Sequence, residues 1–217
     1  MKFLATLALF AVFITSACAP KQKLNTHPEK KYSTHRLTFV DKNGEAEGYC
    51  TGTVIGPHAV LTASHCNDND VDTVIQFDLA LRNYDILAAA HDGRDHVIYL
   101  LDGPALIGDS PVIEEKAKVG DTVYMYGNGG RAIEPVERVG HVIDGYVSGS
   151  DERDGLTYFD FPVIPGDSGS AIYDQKGNIV SILTYSVNKH SAGFALDFTP
   201  EQIKTARTFD PADLLKK

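Results

Sequence analysis

From about residue 36 onward the chain breaks into short runs rich in Val, Ile, Thr, Tyr and Phe, and that rhythm limits the fold more than any other feature. The runs fall at 36–40, 48–55, 59–63, 72–79, 96–101, 121–126, 137–148, 157–161, 169–174, 178–185 and 192–198, with turn residues between them. Branched and aromatic side chains suit a pleated, half-buried surface, so short strands at this spacing predict an all-β barrel architecture. Asp174-Gln-Lys-Gly177 and Asn128-Gly-Gly130 read as turns that let one run return beside the next. Gly127-Asn-Gly-Gly130 lacks the Lys-Ser/Thr of a phosphate-binding loop, so it is read as structural. Near the end, Thr199-Pro200-Glu201 predicts a short C-terminal helix, with threonine as cap and proline at the first helical position.

The amino-terminal end follows different rules. Lys2 precedes an apolar run, Phe3 to Ile14, that is too short to span a bilayer as a helix, and Thr15-Ser-Ala17 is a small-residue cleavage region. Residues 1–17 are therefore expected to be a signal peptide and the protein to be exported. Cleavage after Ala19 would leave Pro20 beside the cut, which disfavours it, whereas Ile14-Thr-Ser-Ala-Cys18 resembles the bacterial lipobox. Lipidation at Cys18 would make a membrane-anchored lipoprotein facing the periplasm or cell exterior; loss of Cys18 with the signal peptide would make a secreted one. Residues 18–32 are polar, without apolar periodicity, and read as a linker. The net charge of −9 argues against nonspecific nucleic-acid binding.

Two motifs carry chemistry: Leu61-Thr-Ala-Ser-His65-Cys66 and Gly166-Asp-Ser168-Gly-Ser170. A serine hydroxyl is a poor nucleophile at neutral pH, so it needs an imidazole to take its proton and backbone donors to hold the oxyanion that follows. A glycine two residues before Ser168 allows a sharp turn that aims the amides of Gly166 and Ser168 at one point. His65 is the candidate base. Among the acids between them, Asp95 leads directly into the apolar run Val97-Ile-Tyr-Leu-Leu101, where a strand could bury it against an imidazole, unlike Asp85 and Asp92.

These segments resemble the trypsin-like (chymotrypsin-fold) serine peptidases. Cys50-Thr-Gly52-Thr-Val-Ile-Gly56 with Ala59-Val-Leu-Thr-Ala-Ser-His65-Cys66 is similar to the family's hairpin, in which a cysteine-led strand returns to deliver the histidine beside a second cysteine. Arg94-Asp95-His-Val-Ile-Tyr-Leu100 resembles the segment of its aspartate, and the order His65, Asp95, Ser168 is that of the chymotrypsin group. Asp160-Phe-Pro-Val-Ile-Pro165-Gly-Asp-Ser168 is similar to the bacterial HtrA-type enzymes, and Ser170 to the V8-type; Lys217 leaves no room for a PDZ domain. The resemblance implies two packed six-stranded antiparallel β-barrels at about 33–112 and 113–200 within a peptidase domain spanning 33–217, and a helix from about 200. It implies a Ser168–His65–Asp95 triad, an oxyanion hole from Gly166 and Ser168, and a Cys50–Cys66 disulfide that leaves Cys18 over. It implies no cofactor.

The implied specificity pocket is walled by Pro162, Val163, Ile164 and Pro165, by Thr184, Tyr185 and Ser186, and by Ala192, Gly193 and Phe194. No carboxylate falls at its base, and Leu183 stands where glutamate-specific relatives tend to place a histidine, so a small or medium apolar side chain is expected there. The resemblance does not carry zymogen activation, because no Ile-Val-Gly-Gly-like segment precedes Cys50, and Asp167 is expected to accept local hydrogen bonds instead. An α/β-hydrolase is disfavoured, since Ser170 breaks GxSxG and only His190 follows the serine. The remaining histidines, including His91, His96 and His190, form no HExxH or similar spacing, so no metal is expected. The expected partner is a protein or peptide substrate, cleaved as an endopeptidase; the alternative is a catalytically silent binding or adhesion module on the same fold.

Overall fold

The computed structural model describes residues 26–41, 43–67, 74–77, 82–108, 113, 117–143, 155–187 and 190–216. The expected signal peptide, 1–17, and Cys18 lie outside them. Strands β1 (Thr34–Val40), β2 (Ala46–Gly56), β3 (Ala59–Ala63), β4 (Val74–Phe77), β5 (Arg82–His91) and β6 (His96–Leu101) close into a barrel in the order β1-β2-β3-β6-β5-β4. Strands β7 (Thr122–Gly127), β8 (Val136–Ile143), β9 (Leu156–Phe159), β10 (Ala171–Asp174), β11 (Ile179–Val187) and β12 (His190–Phe194) close a second one, β7-β8-β9-β12-β11-β10. The two orders are the same order, and the strand pairs are antiparallel. Full closure removes the exposed edges that short strands would otherwise present.

Three apolar clusters hold the barrels. Leu37, Phe39, Val60, Ile75, Phe77 and Tyr99 fill the first, and Val123, Met125, Phe159, Phe161, Ile172 and Leu183 fill the second. A third cluster draws Leu61 and Ile98 from one barrel and Tyr124, Tyr173 and Ile182 from the other, so it is the seam between them. The helix α1 (Pro200–Thr208) adds Ala206 to that seam. Thr199 and Gln202 form a reciprocal capping box at its start, and Gly56 lets its backbone lie against β2, because a Cβ there would strike the Ala206 carbonyl.

Two sequence expectations change. The linker expected over 18–32 does not extend through its described end: Pro28–Ser33 is a 3₁₀ turn with Lys30 and Ser33 buried, and Lys31 pairs with Glu134 at 2.9 Å. Pro28 at the first helical position and the seating of His27 over Tyr124, ring centroids 6.4 Å apart, tie this segment to the second barrel. Strand β5 was absent from the expected runs. Of its ten residues only Tyr84 is buried, and Ala88-Ala89-Ala90 favours no strand; backbone pairing to β4 and β6 holds it in place.

Candidate active site

Strand β3 ends at Ala63, and the next three residues, Ser64–Cys66, make a single 3₁₀ turn that presents His65. Cys66 is bonded to Cys50 on β2, which pins that turn to the neighbouring strand. Ala63 faces His96 across the β3–β6 ladder, so Asp95, one residue earlier, arrives beside His65. The imidazole Nδ1–H donates to Asp95 Oδ2 at 2.6 Å, the His65 amide donates to Oδ1 at 3.0 Å, and the Ser64 amide donates to the Asp95 carbonyl at 3.0 Å. With Nδ1 committed to a carboxylate, Nε2 is the ring atom left to exchange a proton.

Asp92 has a different task. Its buried carboxylate accepts from His96 Nδ1 at 2.6 Å and from the amides of Arg94 and Asp197. Burial works against its charge, yet the His96 hydrogen bond and charge and these amides hold the carboxyl below the usual carboxylate range. Asp85 lies on the exposed face of β5.

Ser168 follows a turn that its own sequence dictates. Pro165 presets the second position, Gly166 takes φ +98° at the third, and the Asp167 amide donates back to the Ile164 carbonyl at 3.0 Å; this is a type II turn. The Pro165 carbonyl accepts from the Gly130 amide at 2.8 Å. Because C=O and N–H of a trans peptide point in opposite directions, that bond turns the Gly166 N–H away from Gly130. Thr51 braces the same stretch from the first barrel: its hydroxyl donates to the Gly166 carbonyl at 2.8 Å, and its amide donates to the Ser168 carbonyl at 2.8 Å. Gly169, at φ +83°, sits so close to Thr51 and Thr62 that a Cβ has no room.

Asp167 is fully buried beneath the turn. It accepts from the Ile164 amide at 3.0 Å, the local bond expected of it, and also from the distant Gly129 amide at 2.8 Å and from Arg138 Nη2 on β8 at 2.9 Å. A buried carboxylate needs such compensation. In the sequence Thr51 is legible only as part of the Cys50 hairpin and Gly129 and Gly130 only as a turn, and Arg138 carries no motif signal; barrel closure brings each to the Asp167 turn from a distant part of the chain.

A cavity of about 500 Å³ opens over these groups, lined by His65, Ser168, Gly166, Pro165, Tyr49 and the Cys50–Cys66 disulfide. Of the expected pocket residues, Val163 packs against the second core, and Ile164 lies over Gly129 and Gly130. Thr184 is buried, with its hydroxyl donating to Ile182 at 3.2 Å, and Gly193 lies flat against Ser181 and Ile182, where a Cβ would strike backbone. Pro162 and Ser186 are exposed, while Tyr185 is half-buried with its ring edge toward Phe194. Among the described residues no group of three or more His, Cys, Asp or Glu could hold a metal ion.

Comparison with known proteins adds the family. No curated protein is significantly similar in sequence. Among solved structures, the active form of the Rv3671c protease from M. tuberculosis is 17% identical with a TM-score of 0.62, covering 84% of this chain and 84% of that one. The inactive form of Rv3671c is 17% identical with a TM-score of 0.59, covering 76% of this chain and 84% of that one. At that identity the likeness carries the fold alone. The family described as the trypsin-like peptidase domain matches residues 50–182, more than half of the chain. This chain, with its paired six-stranded barrels, belongs to the trypsin-like peptidases.

Proposed function

We propose that the protein is an exported serine endopeptidase. The Ser168 hydroxyl attacks a peptide carbonyl while His65 Nε2 takes its proton; His65 then hands that proton to the departing amine, and water resolves the acyl-enzyme by the same route. Asp95 fixes the tautomer and orientation of His65 and stabilises the imidazolium. The amides of Gly166 and Ser168 stabilise the tetrahedral oxyanion, a contribution on the order of 3 kcal/mol per donor in comparable sites. The observation that carries this reading is the convergence of the His65–Asp95 hydrogen bond and the Gly166 turn on the cavity that Ser168 lines. The side chain before the scissile bond is small or medium and apolar, since no acid stands among the pocket walls. Export through residues 1–17 and anchoring by lipid on Cys18 rest on the amino-terminal pattern.

A fluorophosphonate probe tests the mechanism. It is expected to label the wild type at Ser168, and Ser168→Ala or His65→Ala is expected to abolish labelling with the circular dichroism spectrum unchanged. Asp95→Asn is expected to cut turnover by roughly 10⁴-fold, because the amide favours the wrong tautomer. Equal labelling of Ser168→Ala would remove this serine from the chemistry; labelling with no cleavage across a broad peptide library would favour the binding-module alternative. Acyl mass on Cys18 in membrane extracts, lost in Cys18→Ala, tests the anchor.

A further inference from the structure

The cavity over Ser168 does not end at the disulfide. Through Glu47, Gly48 and Tyr49 it continues into a second cavity of about 310 Å³, into which Arg36 and Arg131 reach. The two arginines are built into one device. Arg131 holds φ +64°, the described non-glycine residue with positive φ, directly after Gly130 at φ +66°. Such a backbone is strained in a residue with a Cβ and persists only where its surroundings hold it. Arg36 Nη1 donates to the Arg131 carbonyl at 2.7 Å, and the Arg131 guanidinium lies 5.0 Å over the Tyr49 ring. Tyr49 in turn lies against Gly166, so one contiguous surface joins the oxyanion turn to both cations.

Among the described residues that line this end of the cleft, Arg36 and Arg131 stand with one acid, Glu47, on a chain of net charge −9. The direction of the cleft follows from the serine-peptidase reading, on which this inference rests. On that reading the acyl half of a substrate lies on the β11–β12 side of Ser168, and the leaving-group half runs the opposite way, over the cavity floor of Cys50–Cys66 and Tyr49. Tyr49 lies against Gly166 and carries the Arg131 guanidinium 5.0 Å over its ring, so the cation stands one aromatic ring beyond that turn, a span that an extended peptide at about 3.3 Å per residue crosses in roughly two to three residues. We infer that Arg131 and Arg36 form a carboxylate-binding subsite on the leaving-group side of the scissile bond, selecting peptides with Glu or Asp there or with a free chain terminus at that position. A planar guanidinium matches a carboxylate in two parallel hydrogen bonds, and Arg131 is held in place by its own backbone and by Tyr49 before any ligand arrives.

Peptides identical but for Glu or Gln at the second and third residues after the cut, and peptides ending there as free acid or amide, separate the two sources. With the intact protein the kcat/KM ratio of Glu over Gln is expected to be about tenfold, as for a charge-assisted hydrogen bond in a partly open site. Arg131→Gly keeps the left-handed turn and removes the cation, and is expected to bring the ratio near one; Arg36→Gln is expected to lower it. Reading each variant as a ratio cancels any general loss of activity. Raising ionic strength from roughly 0.05 to 0.5 M on the wild type gives the same reading without mutation, since the preference is expected to shrink. A free-acid preference with no Glu over Gln difference supports the subsite and assigns it to chain ends. Ratios near one in both pairs, or a Glu preference unchanged in Arg131→Gly, would overturn the inference. The same pairs titrated onto Ser168→Ala measure binding without turnover, so a wild type that cleaves nothing refutes the peptidase reading while the binding ratio still decides for or against the subsite.

Discussion

Asp167 shows how much one residue beside Ser168 can be asked to hold. It is buried, it ties the Ile164 and Gly129 amides together, and its charge is balanced by Arg138. Arg138→Ala leaves that carboxylate without its cation, and the expected cost is about 3 kcal/mol, read as a lower denaturant midpoint, together with slower fluorophosphonate labelling as the Gly166 turn loosens. Arg138→Met with Asp167→Asn removes both charges and is expected to regain stability, because an asparagine oxygen can still accept from Gly129. If Arg138→Ala labels and melts like the wild type, the pair has no positioning role. At Gly193 the expected phenotype of a bulky residue is loss of the barrel fold, seen by circular dichroism, with no switch in side-chain preference, since the new Cβ meets Ile182 backbone.

Among the elements, the β2–β3 hairpin and its 3₁₀ turn matter most, because they present His65 and are closed by Cys50–Cys66 across 16 residues of sequence. In the chain-entropy account, opening a loop of that length costs about 3 kcal/mol. Reduction, or Cys50→Ala with Cys66→Ala, is expected to lower the melting temperature and to reduce kcat more than the Ser168 labelling site is perturbed, as His65 loses its clamp. Unchanged stability after reduction would assign the bridge no structural weight. The helix α1 offers a smaller test: Thr199→Ala removes one half of the capping box and is expected to cost about 1 kcal/mol, measured by chemical denaturation.

At the scale of the whole molecule, acid is expected to act against the fold through groups held away from their ordinary titration. Burial pushes the His35 imidazole down from 6.5 against bonds with the backbone of Ile107 and Tyr32. The unfolded chain therefore binds a proton near pH 6.5 that the folded chain refuses, so stability is complete above that pH and falls as pH drops toward the lowered folded value. Asp92 acts in the same sense at lower pH: its folded carboxyl is depressed, so its contribution is present above about 3.8 and is lost as pH falls through the folded value. His35→Phe, a ring for a ring beside Phe77, is expected to flatten the fall in melting temperature between pH 7 and 5. An equal slope in both proteins would clear His35 of that role.

What could be read from the linear chain was what local chemistry determines. Short runs of branched and aromatic residues marked most strands, Gly166 marked a sharp turn before Ser168, Thr199-Pro200 started the helix, and the order of His65, Asp95 and Ser168 matched a known family. Only the tertiary structure could decide the rest, because it depends on which distant segments closure brings together. Strand β5 exists because its neighbours need a partner to close the first barrel, although its own side chains scarcely favour a strand. Thr51 and Gly130 brace the Gly166 turn, Arg138 neutralises Asp167, and Arg36 holds Arg131 over Tyr49, each between segments far apart in sequence and with a side chain or amide that is ordinary in isolation. A turn is an arrangement of neighbours in sequence, whereas a buried charge or a brace is an arrangement of neighbours in space, and only the packed barrels specify the second.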